Sequence, residues 1–319
     1  MNLDVEQIRA VRVEDPGAIE RAAAARSRRA ITGRMVLIAA DHPARGALAA
    51  RGKPQAMANR QDLLARLVTA LERPGVDGVL GTPDIVEDLL LLGALEDKVV
   101  IGSMNRGGLA GSVFELDDRY TAYDARSLAD LGLDGGKMLI RIALDDPGTV
   151  RTLEHTARAI SELAASGLMA LVEPFMSSWE DGKLVNDLSA DEVIKSAGIA
   201  SGLGATSRHT WLKLPVVDDM ERVMLSTTLP TLLLGGDPQG SDDEVFASWE
   251  KALGLPGVRG LVVGRALLYP RTTTSLWPST SPLDSWPEPE APPGISPGSG
   301  CRERGRSRPA PPVTSRSDG

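Results

Sequence analysis

Residues 35–46 read MVLIAADHPARG: six apolar residues that stop at an aspartate and turn. An apolar run without polar alternation is the pattern of a strand covered on both faces, as in a parallel sheet. The residues just after the run separate two folds. An open doubly wound sheet would normally carry a glycine-rich fingerprint after its first strand. The segment Asp41-His42-Pro43-Ala44-Arg45-Gly46 is no such fingerprint.

Further along, the same kind of run recurs at Gly78–Gly81, Val99–Ser103, Lys137–Leu144, Leu168–Glu173, Thr210–Leu214, Thr231–Gly235 and Gly260–Gly264. Helical patterns lie between them. Gln61–Glu72 and Thr149–Ser166 space their apolar residues near the helical period, and Ile85–Leu95 reads as a buried helix face. Asp191–Gly202 comes after Ser189 as N-cap, and Ser241 with Glu244 makes a capping-box pattern ahead of Leu253. About eight strands alternating with helices predict a (β/α)8 TIM barrel over residues 1–270, with Pro16–Ala30 as a leading helix against its bottom.

Residues 271–319 differ. They hold about half of the 22 prolines, many serines and arginines, and almost no apolar period, which predicts a disordered tail. No candidate appears there for a helix after the eighth strand. A barrel lacking that helix would leave an apolar strip between its first and last helices, a surface for a partner subunit or a homo-oligomer.

Composition narrows the function. The 319 residues carry a net charge of -8, which argues against a general nucleic-acid surface. Hydrophobic residues make up 42%, enough for a sizeable core. No apolar run approaches the roughly 20 residues that span a bilayer, and the charged start is unlike a signal peptide, so a soluble cytoplasmic protein is expected. The single cysteine, Cys301, excludes a disulfide framework and a cysteine metal site. With only His42, His155 and His209, no histidine cluster for a metal is expected, and no cofactor.

In such a barrel the chemistry sits at the C-terminal strand ends. The first strand ends at Asp41 and the fifth at Glu173. The sixth, TWLKLP at 210–215, contains Lys213. An ammonium in a buried strand is costly, and the cost is tolerated where a neutral amine must attack a carbonyl. The plain alternative is a strand-end lysine reaching into solvent. Lys137 opens the fourth strand, which would put it at the wrong end unless that strand begins earlier. Asp41 could instead cap the next turn, and Glu173 could pair with an arginine. After the last two strands, Gly235-Gly236 and Gly264-Arg265 match loops that bind phosphate through glycine amides and a cation. Those glycines could equally serve tight turns.

These segments resemble the class I, Schiff-base-forming aldolases of (β/α)8 type, near the tagatose-bisphosphate, fructose-bisphosphate and deoxyribose-phosphate branches. The residues that carry the resemblance are Asp41 in LIAADHPARGAL, Lys137 in GGKMLIRIAL, Glu173 in LMALVEPF, Lys213 in TWLKLP and Arg265 in LVVGRALLYP. The resemblance spans about Met35 to Tyr269. It implies that Lys213 forms the Schiff base and Glu173 shuttles protons. It further implies that Lys137 and Asp41 contact substrate oxygens and that Arg265 holds the phosphate of a small phosphorylated sugar. His42 and Pro43 interrupt the familiar Asp-x-Arg-Gly spacing, which leaves Arg45 without an assigned role. The implied substrate is a hexose bisphosphate or a phosphorylated deoxyketo-sugar acid.

A second cation near Lys213 would favour its neutral form, and a partly buried Glu173 is expected to have a raised pKa. A decarboxylase-type phosphate barrel would want Asp-x-Lys on one strand, and position 211 is Trp. The alternative from another class is a sugar-phosphate-sensing regulator that keeps the pocket without the chemistry.

Overall fold

The computed structural model describes residues 5–31, 33–236 and 242–270. The expectations for the 271–319 tail and for the Ser241 cap lie outside them. Two helices, α1 (Val5–Glu14) and α2 (Ala18–Ala25), precede the first strand, where a single leading helix was expected. Then come β1 (Met35–Ala39), α3 (Arg60–Leu71), β2 (Gly78–Gly81), α4 (Pro83–Leu91), β3 (Val99–Ser103), α5 (Ala125–Asp130) and β4 (Gly135–Ile142). Next are α6 (Gly148–Ala165), β5 (Met169–Glu180), β6 (Lys183–Asp187), α7 (Ala190–Ser201) and β7 (Thr210–Pro215). The chain goes on through α8 (Met220–Leu225), β8 (Thr231–Leu234), α9 (Asp242–Leu253), β9 (Val258–Val263) and α10 (Arg265–Leu268).

Eight of these strands run parallel in the order β4-β3-β2-β1-β9-β8-β7-β5, and β5 pairs back onto β4 to close the ring. The fold is a (β/α)8 TIM barrel. The remaining strand, β6, is the antiparallel arm of a hairpin with the far half of β5. Strand five therefore does not stop at Glu173 but runs on to Glu180.

Alternation along each strand divides the core in two. Met35, Leu37 and Ala39 of β1, Ile101 of β3 and Met169 and Leu171 of β5 point into the barrel. Val36, Ile38, Val100, Ala170 and Val172 point outward into the layer shared with the helices. The lower interior is thus wholly apolar, and polar interior positions are confined to its upper part.

At the bottom, the link from α2 to β1 is tied down by charge. Arg26 donates to the carbonyls of Lys98 and Gly132, Arg28 pairs with Asp134 at 2.9 Å and Arg29 with Asp77 at 2.7 Å. It is this extended link, more than a leading helix, that spans the bottom.

At the seam, the expectation that 271–319 offers no closing helix lies outside the described residues, while a short α10 follows the eighth barrel strand. Its Ala266, Leu267 and Leu268 are buried, Arg66 of α3 donates to the Leu268 carbonyl at 2.9 Å and its guanidinium lies 4.7 Å from the Tyr269 ring centre. Among the described residues no large apolar side chain is exposed on α3 or α9, so the expected apolar strip does not appear there. Also among the described residues, no helix is long and apolar enough to cross a membrane.

Candidate active site

The upper interior holds one cavity of about 250 Å³, and all eight residues singled out from the sequence line it. Asp41, Lys137, Glu173 and Lys213 form its floor, and Gly235, Gly236, Gly264 and Arg265 one wall. Each floor residue is placed by its strand.

Lys137 does not open β4. It is the third residue, preceded by Gly135 and Gly136, and it pairs across β3 with Ser103, the last residue of that strand. Because β4 starts late relative to β3, a residue near its beginning pairs with the top of β3. Two positions on, Leu139 pairs with Glu173 of β5, and Lys213 comes directly after Leu212, the partner of Val172. Lys137 therefore comes up to the cavity floor, within reach of Glu173 on β5.

Asp41 lies just beyond the end of β1. Its carboxylate makes no cap hydrogen bond to the turn at His42–Arg45. Instead it accepts from the Lys137 ammonium at 2.8 Å and from the Ser103 hydroxyl at 3.3 Å. Glu173 bridges the two lysines, with one oxygen 2.8 Å from Lys137 Nζ and the other 3.0 Å from Lys213 Nζ. Lys137 thus meets two carboxylates and Lys213 one.

That asymmetry separates their protonation. Burial would lower both lysines. For Lys137, Asp41 and Glu173 together outweigh burial and hold its pKa above the ordinary lysine value. For Lys213 burial prevails, opposed by Glu173 and reinforced by the positive charge of Lys137, and its pKa falls below that value. Glu173 corrects an expectation. Burial alone would raise it, as the sequence suggested, but the ammonium groups of Lys137 and Lys213 bring it down to about 2. Asp41 is depressed well below the ordinary carboxylate range, burial being overcome by Lys137, His42 and Lys213.

The wall is shaped by glycine. A Cβ on Gly264 would stand 2.6 Å from the Ala39 carbonyl oxygen and 2.8 Å from His42 Cε1, so only glycine lets the end of β9 close onto β1. Gly236 has φ +59, the left-handed region that favours glycine, and turns the chain at the cavity edge. Arg265, next after Gly264, reaches toward the Ala49 carbonyl at 3.5 Å.

Several lining residues were not singled out. His42 is half-buried, its buried Nδ1 is unpartnered, and desolvation pulls its pKa down to about 4, so the imidazole is neutral near pH 7. Arg141 shares the inward face of β4 with Lys137, a relation that four-residue spacing on a strand could have revealed. Asn186 reaches the cavity from the unforeseen β6 arm, where its side chain accepts from Ser177 at 2.9 Å. Glu115, which pairs with Arg141, comes from the long loop after β3, where no sequence period marks it. Among the described residues no group of three or more His, Cys, Asp or Glu side chains is arranged to hold a metal ion.

Comparison with known proteins assigns a family. A model of the Cgl0159-like family matches residues 33–276. The chain belongs to the Cgl0159-like family. The crystal structure of Cgl0159 from Corynebacterium glutamicum is 58% identical, covers 83% of this chain and 90% of its own, and superposes with a TM-score of 0.81. No curated protein sequence matches. More distant structures share the fold. A Schiff-base-forming fructose-1,6-bisphosphate aldolase is 21% identical over 78% of this chain and 93% of its own, with a TM-score of 0.52. An archaeal fructose-1,6-bisphosphate aldolase, with its catalytic lysine bound to a carbinolamine intermediate, is 19% identical over 78% and 92%, with a TM-score of 0.53. This member of the Cgl0159-like family therefore has the fold seen in class I aldolases.

Proposed function

We propose that this chain is a class I aldolase that cleaves or forms a carbon–carbon bond in a phosphorylated keto-sugar through a Schiff base on Lys213. The observation that carries the reading is the unequal sharing of carboxylates. Lys137 is locked as a cation by Asp41 and Glu173, while Lys213, with Glu173 alone, is the lysine whose pKa is lowered. A buried amine beside a fixed cation is the nucleophile this chemistry needs.

In the cleavage direction the Lys213 amine adds its electron pair to the substrate carbonyl, and the carbonyl oxygen, taking one proton from that amine and one from solvent, leaves as water. The iminium accepts the electrons of the breaking carbon–carbon bond and becomes an enamine. Glu173, which enters as a carboxylate 3.0 Å from Lys213 Nζ, takes the proton released by the substrate hydroxyl as the aldehyde forms. It returns that proton to the enamine carbon, and water then hydrolyses the imine and frees Lys213. Lys137 and Asp41, paired at 2.8 Å, orient substrate oxygens. The Gly235-Gly236 and Gly264-Arg265 wall receives the phosphate through backbone amides and a guanidinium.

The test is a screen of phosphorylated ketoses with detection of the aldehyde and ketone products. Wild type should cleave at least one member, with activity unchanged by a strong chelator, and Lys213→Ala should be inactive. Activity that disappears in chelator and returns with zinc would contradict the reading.

A further inference from the structure

The two ends of the cavity carry different charge. In the closed ring, β4 lies four strands from β9 by either route, so Arg141 of β4 stands across the mouth from Arg265. Lys213 of β7 lies midway along one of those routes. A substrate whose phosphate rests at the Arg265 wall and whose carbonyl meets Lys213 therefore sends its other end toward Arg141.

That far end is built and partly open. Arg141 is 7% exposed and lines the cavity, and its Nε has no hydrogen-bond partner. Its Nη1 is taken by Glu115, itself buried on the loop after β3. The same carboxylate stands 3.8 Å from Arg45 Nη2. Asp118, held by the Asn105 amide at 2.7 Å, acts electrostatically on Arg45. Arg45 and Arg141 line this end of the cavity, and Glu115 behind them is within ion-pair reach of both, so both guanidinium groups are already partly neutralised. Leu139, Phe175 and Leu188 add apolar surface to its lining, and Asn186 of the β6 arm a polar amide.

We propose that the β4 end of this cavity takes an uncharged, hydroxyl-bearing chain end, and that Glu115 is the residue that disfavours a second phosphate there. The inference rests on the sugar-phosphate reading of the site and narrows its substrate class to monophosphates. A second phosphate would have to compete with Glu115 for Arg141 and lie against its buried charge. A hydroxyl carries no charge and is accommodated without displacing Glu115 from Arg141.

The test measures binding rather than turnover. Calorimetry on Lys213→Ala compares a ketohexose 1-phosphate with the matching 1,6-bisphosphate. The monophosphate should bind as well as the bisphosphate or better. Adding Glu115→Gln, which keeps the shape and removes the charge, should tighten the bisphosphate about tenfold and leave the monophosphate nearly unchanged. If that variant does not fold, Arg141→Gln serves instead. It leaves Glu115 facing Arg45 and should weaken the bisphosphate more than the monophosphate.

A bisphosphate that binds tenfold tighter to the parent would overturn the inference, and so would a ratio that neither substitution moves. Binding of neither ligand would overturn it together with the phosphate reading. Absence of Schiff-base trapping on the wild-type protein, alongside the expected binding ratio in Lys213→Ala, would overturn only the catalytic reading.

Discussion

The bottom and the top of this barrel use the same charged groups to opposite ends. At the bottom, Asp77 and Asp134 each accept a strand amide at 2.8 Å, from Val36 and Val100, and each also holds an arginine of the extended link. Their bonding fixes where β1 and β3 begin. At the top, one carboxylate is shared between two lysines, Arg141 keeps a free Nε–H and His42 an unpartnered Nδ1. Buried polar groups are ordinarily paired, and those left short of partners mark where something else binds. Charge at the bottom is spent on the chain itself, although Arg26 keeps an unpartnered Nε there, whereas charge at the top lines a cavity.

Substitutions at the two ends should therefore separate turnover from stability. The largest effect belongs to the top: Glu173→Gln keeps the side chain's size but removes the proton carrier, and turnover should fall by about 10²–10⁴. Binding of the phosphate end should hardly change. Unaltered turnover would make Glu173 a structural residue.

At the bottom, Asp134→Asn leaves Arg26, whose side chain is almost wholly buried, without its counter-charge. Unfolding in urea should show a loss of about 3 kcal/mol, with the turnover of the folded fraction unchanged. A fall in turnover without a fall in stability would erase the contrast.

Smaller again is Arg265→Ala, which should weaken phosphorylated substrates about ten- to hundredfold through loss of a charge-assisted bond. Unphosphorylated analogues should be nearly unaffected. Equal weakening of both would place Arg265 in a structural role.

The least effect is on acid stability. Glu173 titrates near 2 in the folded chain against an ordinary 4.5. The unfolded chain takes up this proton first. The stabilisation is therefore present above about 4.5 and is lost as pH falls toward 2. Melting temperatures of Glu173→Gln should decline less steeply than wild type across that window. Parallel declines would mean that the carboxylate's pairing with the lysines adds nothing.

The top was only partly legible in sequence, and the reason is register. All eight barrel strands stand out as apolar runs, and Asp41, Glu173 and Lys213 are found from where those runs end. Lys137 is not, because its level depends on β4 starting beside the top of β3, a matter of pairing between strands. Arg141 becomes readable once Lys137 is known to face inward. Asn186 sits on a short polar arm that pattern alone reads as loop, and Glu115 comes from a loop with no period. The depressed pKa of Glu173 arises because lysines from two different strands meet one carboxylate, and no local pattern announces such a meeting.

The central claim is that Lys213, and not Lys137, is the nucleophile. Borohydride added with a cleavable keto-phosphate, and then peptide mass mapping, tests it most directly. The account predicts irreversible addition of the substrate's mass to Lys213, absent in Lys213→Ala and in samples without substrate. Mass on Lys137, with Lys213 unmodified, would contradict it.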